Sequence, residues 1–87
     1  MYKIKKIKQT CSACPSQWEA ETVDGYQIYI RYRWGYLSVR ISNEPSNDIS
    51  AGVLGNEIFG KQIGGRLDGV MSYEELKEKT AEVVRYP

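Results

Sequence analysis

From Trp18 to Ser42 apolar and polar residues alternate almost without a break. Tyr26, Ile28, Ile30 and Tyr32 fall on one side of an extended chain, and Gln27, Tyr29 and Arg31 on the other, because successive side chains of a strand point to opposite faces. After Trp34-Gly35 the alternation resumes, with Leu37, Val39 and Ile41 set against Tyr36, Ser38, Arg40 and Ser42. The pattern predicts a hairpin. A two- or four-residue loop pairs Tyr32 with Leu37, Ile30 with Val39 and Ile28 with Ile41, so that one face is wholly apolar. A three-residue loop slips the pairing by one and buries Arg40 among isoleucines. A two-residue loop places Trp34 at positive φ, which is unfavourable for a bulky side chain. The expectation is therefore a four-residue loop, Arg33 to Tyr36, with Gly35 in the left-handed region.

The preceding turn, Val23-Asp24-Gly25, yields to the same test. A two-residue Asp24-Gly25 turn would set Glu19 and Glu21 on the core face. A three-residue turn with a glycine bulge pairs Trp18 with Ile30 and Ala20 with Ile28. Strands are thus expected over Gln17–Val23, Tyr26–Arg33 and Tyr36–Ser42. The lysine-rich opening YKIKKIK reads as an edge strand, QTCSACPSQ and NEPSND as loops, and Ile49–Leu54 and Glu57–Ile63 as short strands. Ser72 with Glu75 three residues on forms a capping box that opens a helix over YEELKEKTAEVV, presenting Leu76, Thr80, Val83 and Val84 to the sheet. The fold class expected is α+β: an antiparallel β-meander sheet packed against one C-terminal helix, as a single domain over residues 1–87.

Composition narrows the function. At 87 residues a chain buries only about 60–65% of the surface its unfolded form exposes, so self-association into a homo-oligomer is a natural supplement. Twelve Lys and Arg against 11 acids leave a net charge of +1, no global basic field, and duplex DNA is not an expected partner. No apolar run is long enough to span a bilayer. Lysines interrupt the opening segment where a secretory signal would be apolar. The expected setting is cytoplasmic. Two cysteines do not make a disulfide framework of the secreted kind.

With no histidine, the usual general base and the serine–histidine and cysteine–histidine dyads are missing; no enzyme is expected. GKQIGGR lacks the order of a phosphate-binding loop. GVLG matches a short glycine motif of single-strand-binding modules, but glycines in turns are the plainer explanation. Cys11 and Cys14 have the spacing of half a zinc site or a redox pair, but no histidine exists to complete a metal site; no metal or cofactor is expected. Glu19 and Glu21 share a strand face, which suits a hydrolase pair or, more plainly, ion pairing with Arg31 across the strands.

The strongest candidate site is the polar hairpin face. Gln17, Tyr29, Arg31, Arg33, Trp34, Tyr36 and Arg40 gather there as expected ligand-binding residues. Guanidinium groups offer paired donors to phosphate, and aromatic rings offer flat surfaces to bases. A wet sheet face whose tyrosines serve β-propensity is the competing reading. Trp34 at the hairpin tip, with the neighbouring edge strand, is also a natural anchor for a protein partner.

The segment CPSQWE, the Asp24-Gly25 turn, the Arg31-Tyr32-Arg33-x-Gly35-x-Leu37-Ser38-Val39 hairpin and the Leu67-Asp68-Gly69 step into the closing helix resemble a set of small uncharacterised proteins of phages, prophages and bacteria. That resemblance spans about two thirds of the chain and implies a phage or mobile-element setting without a mechanism. In such a setting a nucleotide-type small molecule, for example a host immune signal to be sequestered, or a host defence enzyme to be inhibited, is the expected partner.

Overall fold

The computed structural model describes residues 1–13 and 15–87. Its sheet has six strands: β1 (Tyr2–Cys11), β2 (Ser16–Thr22), β3 (Gln27–Arg33), β4 (Tyr36–Ile41), β5 (Asn56–Gln62) and β6 (Val84–Arg85). Two short helices, α1 (Ser50–Val53) and α2 (Tyr73–Lys79), complete the described elements. The spatial order is β5-β4-β3-β2-β1-β6. Neighbours from β1 to β5 run antiparallel, whereas β6 joins β1 in parallel at Tyr2 and Lys3. The α+β class holds at that coarse level. The sheet is mixed rather than antiparallel, and it carries two helices rather than one.

The hairpin registers follow the burial argument. Ile28 faces Ile41, Ile30 faces Val39 and Tyr32 faces Leu37; Trp18 faces Ile30 and Ala20 faces Ile28. These residues, with Ile4 and with Met71, Leu76 and Val84 from the C-terminal third, make one buried cluster. Removing that much apolar surface from water is what holds so small a sheet together. The β2–β3 turn is the three-residue form, with Gly25 at φ 89 and its N–H donating to Thr22 O at 3.0 Å.

The β3–β4 turn departs from expectation. Arg33 pairs with Tyr36, so the loop has two residues, with Trp34 at φ 58 and Gly35 at φ 72. Positive φ at both central positions marks a type I′ turn, whose twist matches that of the flanking strands. The unfavourable tryptophan conformation is held from outside. Gly35 N–H donates to Asp68 O at 2.7 Å, and Gly35 O accepts from Ile63 N–H at 2.8 Å and Gly64 N–H at 3.1 Å. Gln62 Nε2 adds a bond to Trp34 O at 2.8 Å.

Two further corrections concern the rest of the chain. The expected strand over Ile49–Leu54 is instead α1, and Gly52 explains where it sits: a Cβ there would lie 3.1 Å from Gln27 O and 3.2 Å from Tyr29 N. Its lack of a side chain lets the helix lie against the backbone of β3. The expected C-terminal helix ends at Lys79, and Val84 continues as β6 rather than as helix. Its capping box forms as expected, with Glu75 N–H donating to Ser72 Oγ at 3.1 Å. Leu76 and Thr80 are fully buried. The lysine-rich β1 is an edge strand beyond its first residues, as expected, since β6 pairs with it only at Tyr2 and Lys3. No described helix is long and apolar enough to cross a membrane.

Candidate functional site

The face opposite the core is built by alternation alone. Once Ile28, Ile30, Tyr32, Leu37, Val39 and Ile41 point inward, Tyr29, Arg31, Arg33, Tyr36, Ser38 and Arg40 must point outward. They line one open groove of about 650 Å³, together with Trp34, Val53 of α1 and Glu57 of β5. Six of the seven expected ligand-binding residues are thus brought together. The seventh, Gln17, lies beside the groove on β2, opposite Arg31 in the register, where its Nε2 donates to Tyr29 Oη. Its place is to fix the tyrosine ring rather than to line the groove.

The arginines differ in how they are held. Arg33 lays its guanidinium over the Trp34 ring, 4.8 Å from the centroid, a cation–π contact that orients both groups at the groove's outer end. Arg40, directly across from Tyr29, donates from Nη1 to Gly55 O at 3.2 Å. Arg31 keeps its Nε shut from solvent without a hydrogen-bond partner among the described residues. A buried donor left unmatched is destabilising, by about 1–3 kcal/mol in general.

Carboxylates sort in a way the sequence did not reveal. Glu19 and Glu21 were expected to pair with Arg31. The register instead sets Glu21 opposite Lys6 and Glu19 opposite Lys8 on β1, and Lys6 Nζ comes within 3.4 Å of Glu21 Oε1. That is the one ion pair within 4.0 Å among the described residues. Glu21 is therefore ion-paired to a β1 lysine and Glu19 faces another, and the three groove arginines have no carboxylate within 4.0 Å among the described residues.

Glu57 is the residue sequence reasoning missed. Its Oε2 accepts from Tyr36 Oη at 3.0 Å and its Oε1 from Ser38 Oγ at 2.8 Å. Tyr36 consequently has its phenol pKa raised, chiefly by that bond to Glu57, then by burial and the Glu57 charge, with Arg40 opposing. Glu57 reaches this face through a register shift in β5: Phe59 faces Val39, but Glu57, not Ile58, faces Arg40. Such a bulge turns one side chain over, and nothing in the linear pattern announces it.

The other sequence candidates take structural places. The GVLG glycines lie at α1 and the turn that follows it, and GKQIGGR spans the end of β5 and the loop under the hairpin tip. Cys11 ends β1 half-buried, 3.4 Å from Ala13 O, whereas Cys14 lies outside the described residues. Among the described residues no three His, Cys, Asp or Glu converge as metal ligands would. No protein-family model, curated protein or solved structure matches the chain.

Proposed function

We propose that the groove captures an anionic, base-containing ligand of nucleotide type, and that the protein is a binding module rather than an enzyme. Arg31, Arg33 and Arg40 meet phosphate, where paired N–H donors match its oxygens. Tyr29, Trp34 and Tyr36 supply rings against which a base stacks.

One observation carries the reading: among the described residues the three arginines sit on one face with no carboxylate within ion-pair distance. A sheet face that is merely solvated tends to match charges across strands, as β1 and β2 do here with lysine and glutamate. The β3–β4 pair does not. Three guanidinium groups against the single carboxylate of Glu57 leave the groove net positive, and an anionic ligand relieves the repulsion among the arginines.

The resemblance to small phage and prophage proteins extends the proposal. A cytoplasmic protein that binds a nucleotide without turning it over would sequester a host immune signal. Native mass spectrometry of the protein purified from cells tests this directly. A nucleotide-sized adduct is expected on the wild type and is lost in the Arg31→Ala/Arg33→Ala variant. The same adduct on the variant would remove the arginines from the reading.

A second reading rests on Trp34, which is 58% exposed at an unfavourable backbone angle. Strained, exposed aromatic residues concentrate where partners bind, so the hairpin tip suits a protein–protein inhibitor of a host defence enzyme. In that case a host protein co-purifies with the wild type and not with Trp34→Ala, and nucleotides leave the melting temperature unchanged.

A further inference from the structure

We infer that Glu57 makes the groove selective for guanine over the other common bases. The inference rests on the reading of the groove as a nucleotide site and adds to it the identity of the base.

Two features of β5 place this carboxylate where it is. The bulge at Ile58 turns Glu57 to the arginine face opposite Arg40; a regular strand would put isoleucine there instead. Gly60, opposite Ser38, then leaves the space beside it open. A Cβ on Gly60 would overlap Tyr36 Oη and Glu57 Oε2, so any other residue would push the carboxylate and its phenol partner away.

The way the carboxylate is held is informative. An acid present only to offset the arginines would ion-pair with one of them. Glu57 makes no such pair within 4.0 Å among the described residues. It is oriented by two neutral hydroxyls, one on each oxygen: Tyr36 on Oε2 and Ser38 on Oε1. A carboxylate has about four lone-pair sites, so each oxygen keeps acceptor capacity after these bonds are made. The result is a fixed fork of two adjacent acceptors among positive charges and aromatic rings.

Among the common bases guanine matches that fork best. Its ring N1–H and exocyclic N2–H lie side by side on one edge and donate in parallel. Adenine and cytosine present one amino group next to an unprotonated ring nitrogen, whose lone pair would face the second carboxylate oxygen. Uracil presents one N–H between two carbonyls, both repelled by the carboxylate. A polar site placed to bond a donor pair discriminates against analogues that lack it, because their lone pairs or carbonyls then face the carboxylate oxygens.

The test is calorimetric titration of the whole chain with guanosine, inosine, adenosine and uridine 5′-monophosphates, which share one phosphate and differ in the base. Guanosine monophosphate is expected to bind about tenfold or more tightly than the adenosine and uridine compounds. Inosine monophosphate, which keeps N1–H and lacks the amino group, should fall between. In Glu57→Gln the guanosine-to-adenosine ratio should collapse to within about threefold, while adenosine affinity holds or rises because a negative charge has left the groove. A thermal melt of Glu57→Gln confirms that the variant is folded. Wild-type affinities that agree within about threefold, a preference for another base, or a guanosine preference that survives Glu57→Gln would overturn the inference and leave the nucleotide groove standing. Absence of binding by all four removes both.

Discussion

Replacing Gly35 by alanine should unfasten the hairpin tip, and the structure sets the size of the effect. Gly35 sits at φ 72, where a Cβ crowds its own backbone at about 1–2 kcal/mol. That Cβ would also overlap the carbonyl oxygens of Gly64 and Gly65 and the amide nitrogen of Gln62. Two of those three atoms are backbone, held by the bonds from Ile63 and Gly64 N–H to Gly35 O, so they do not yield cheaply; overpacking of this kind destabilises by about 1–3 kcal/mol. Alanine stiffens the unfolded chain and returns about 0.5–1 kcal/mol. The net loss is therefore about 1–4.5 kcal/mol, which in a domain of this size lowers Tm by about 4 °C or more. Thermal melts with urea titrations measure it. Gly65→Ala is the control, because a Cβ there meets nothing within 4 Å and its φ is not positive. If Gly35→Ala melts within about 2 °C of the wild type, the clamp between the tip and residues 62–68 is not what holds Trp34 in place.

Two further outcomes follow from the packing and titration of the fold. Ser72→Ala removes the acceptor that receives Glu75 N–H and should lower stability by about 0.5–2 kcal/mol in urea titrations, with the loss partly restored by Asp at the same position. Burial first, and for Tyr32 the bond to Asp68, push the phenols of Tyr32 and Tyr86 up to about 12 from an ordinary 10.0. The fold favours their protonated forms, so this stability is fully present below pH 10 and is lost as pH rises towards about 12. The urea midpoint should fall across that window, and by less in Tyr32→Phe/Tyr86→Phe.

What the sequence disclosed and what it withheld divide along physical lines. The β2–β3 and β3–β4 registers were legible because a one-residue slip would bury Arg40 or Glu19 and Glu21; burial leaves one answer. The groove arginines were legible for the same reason, since their direction is the complement of the buried set. The type I′ turn was not. Intrinsic preference argues against tryptophan at positive φ, and the bonds that overrule it come from Ile63, Gly64 and Asp68, far along the chain. The helix at Ser50–Val53 was hidden because a short apolar run fits helix or strand equally, and Gly52 decides it only through close approach to β3. The lysines of β1 were recognised as edge protection and not as partners of Glu19 and Glu21, because that pairing depends on a bulge near Lys5. Glu57 was missed for a like reason. Bulges change which face a residue takes, and alternation cannot foresee them.

A calorimetric titration of guanosine monophosphate into the wild type and into Arg31→Ala/Arg33→Ala tests the nucleotide reading of the groove most directly. Bonds to charged groups contribute about 1.5–3 kcal/mol each, so losing two guanidinium groups should weaken binding about 100-fold or more, with wild-type affinity also falling as salt rises. Equal affinity in the two proteins, or no heat of binding from a folded wild type, would contradict it.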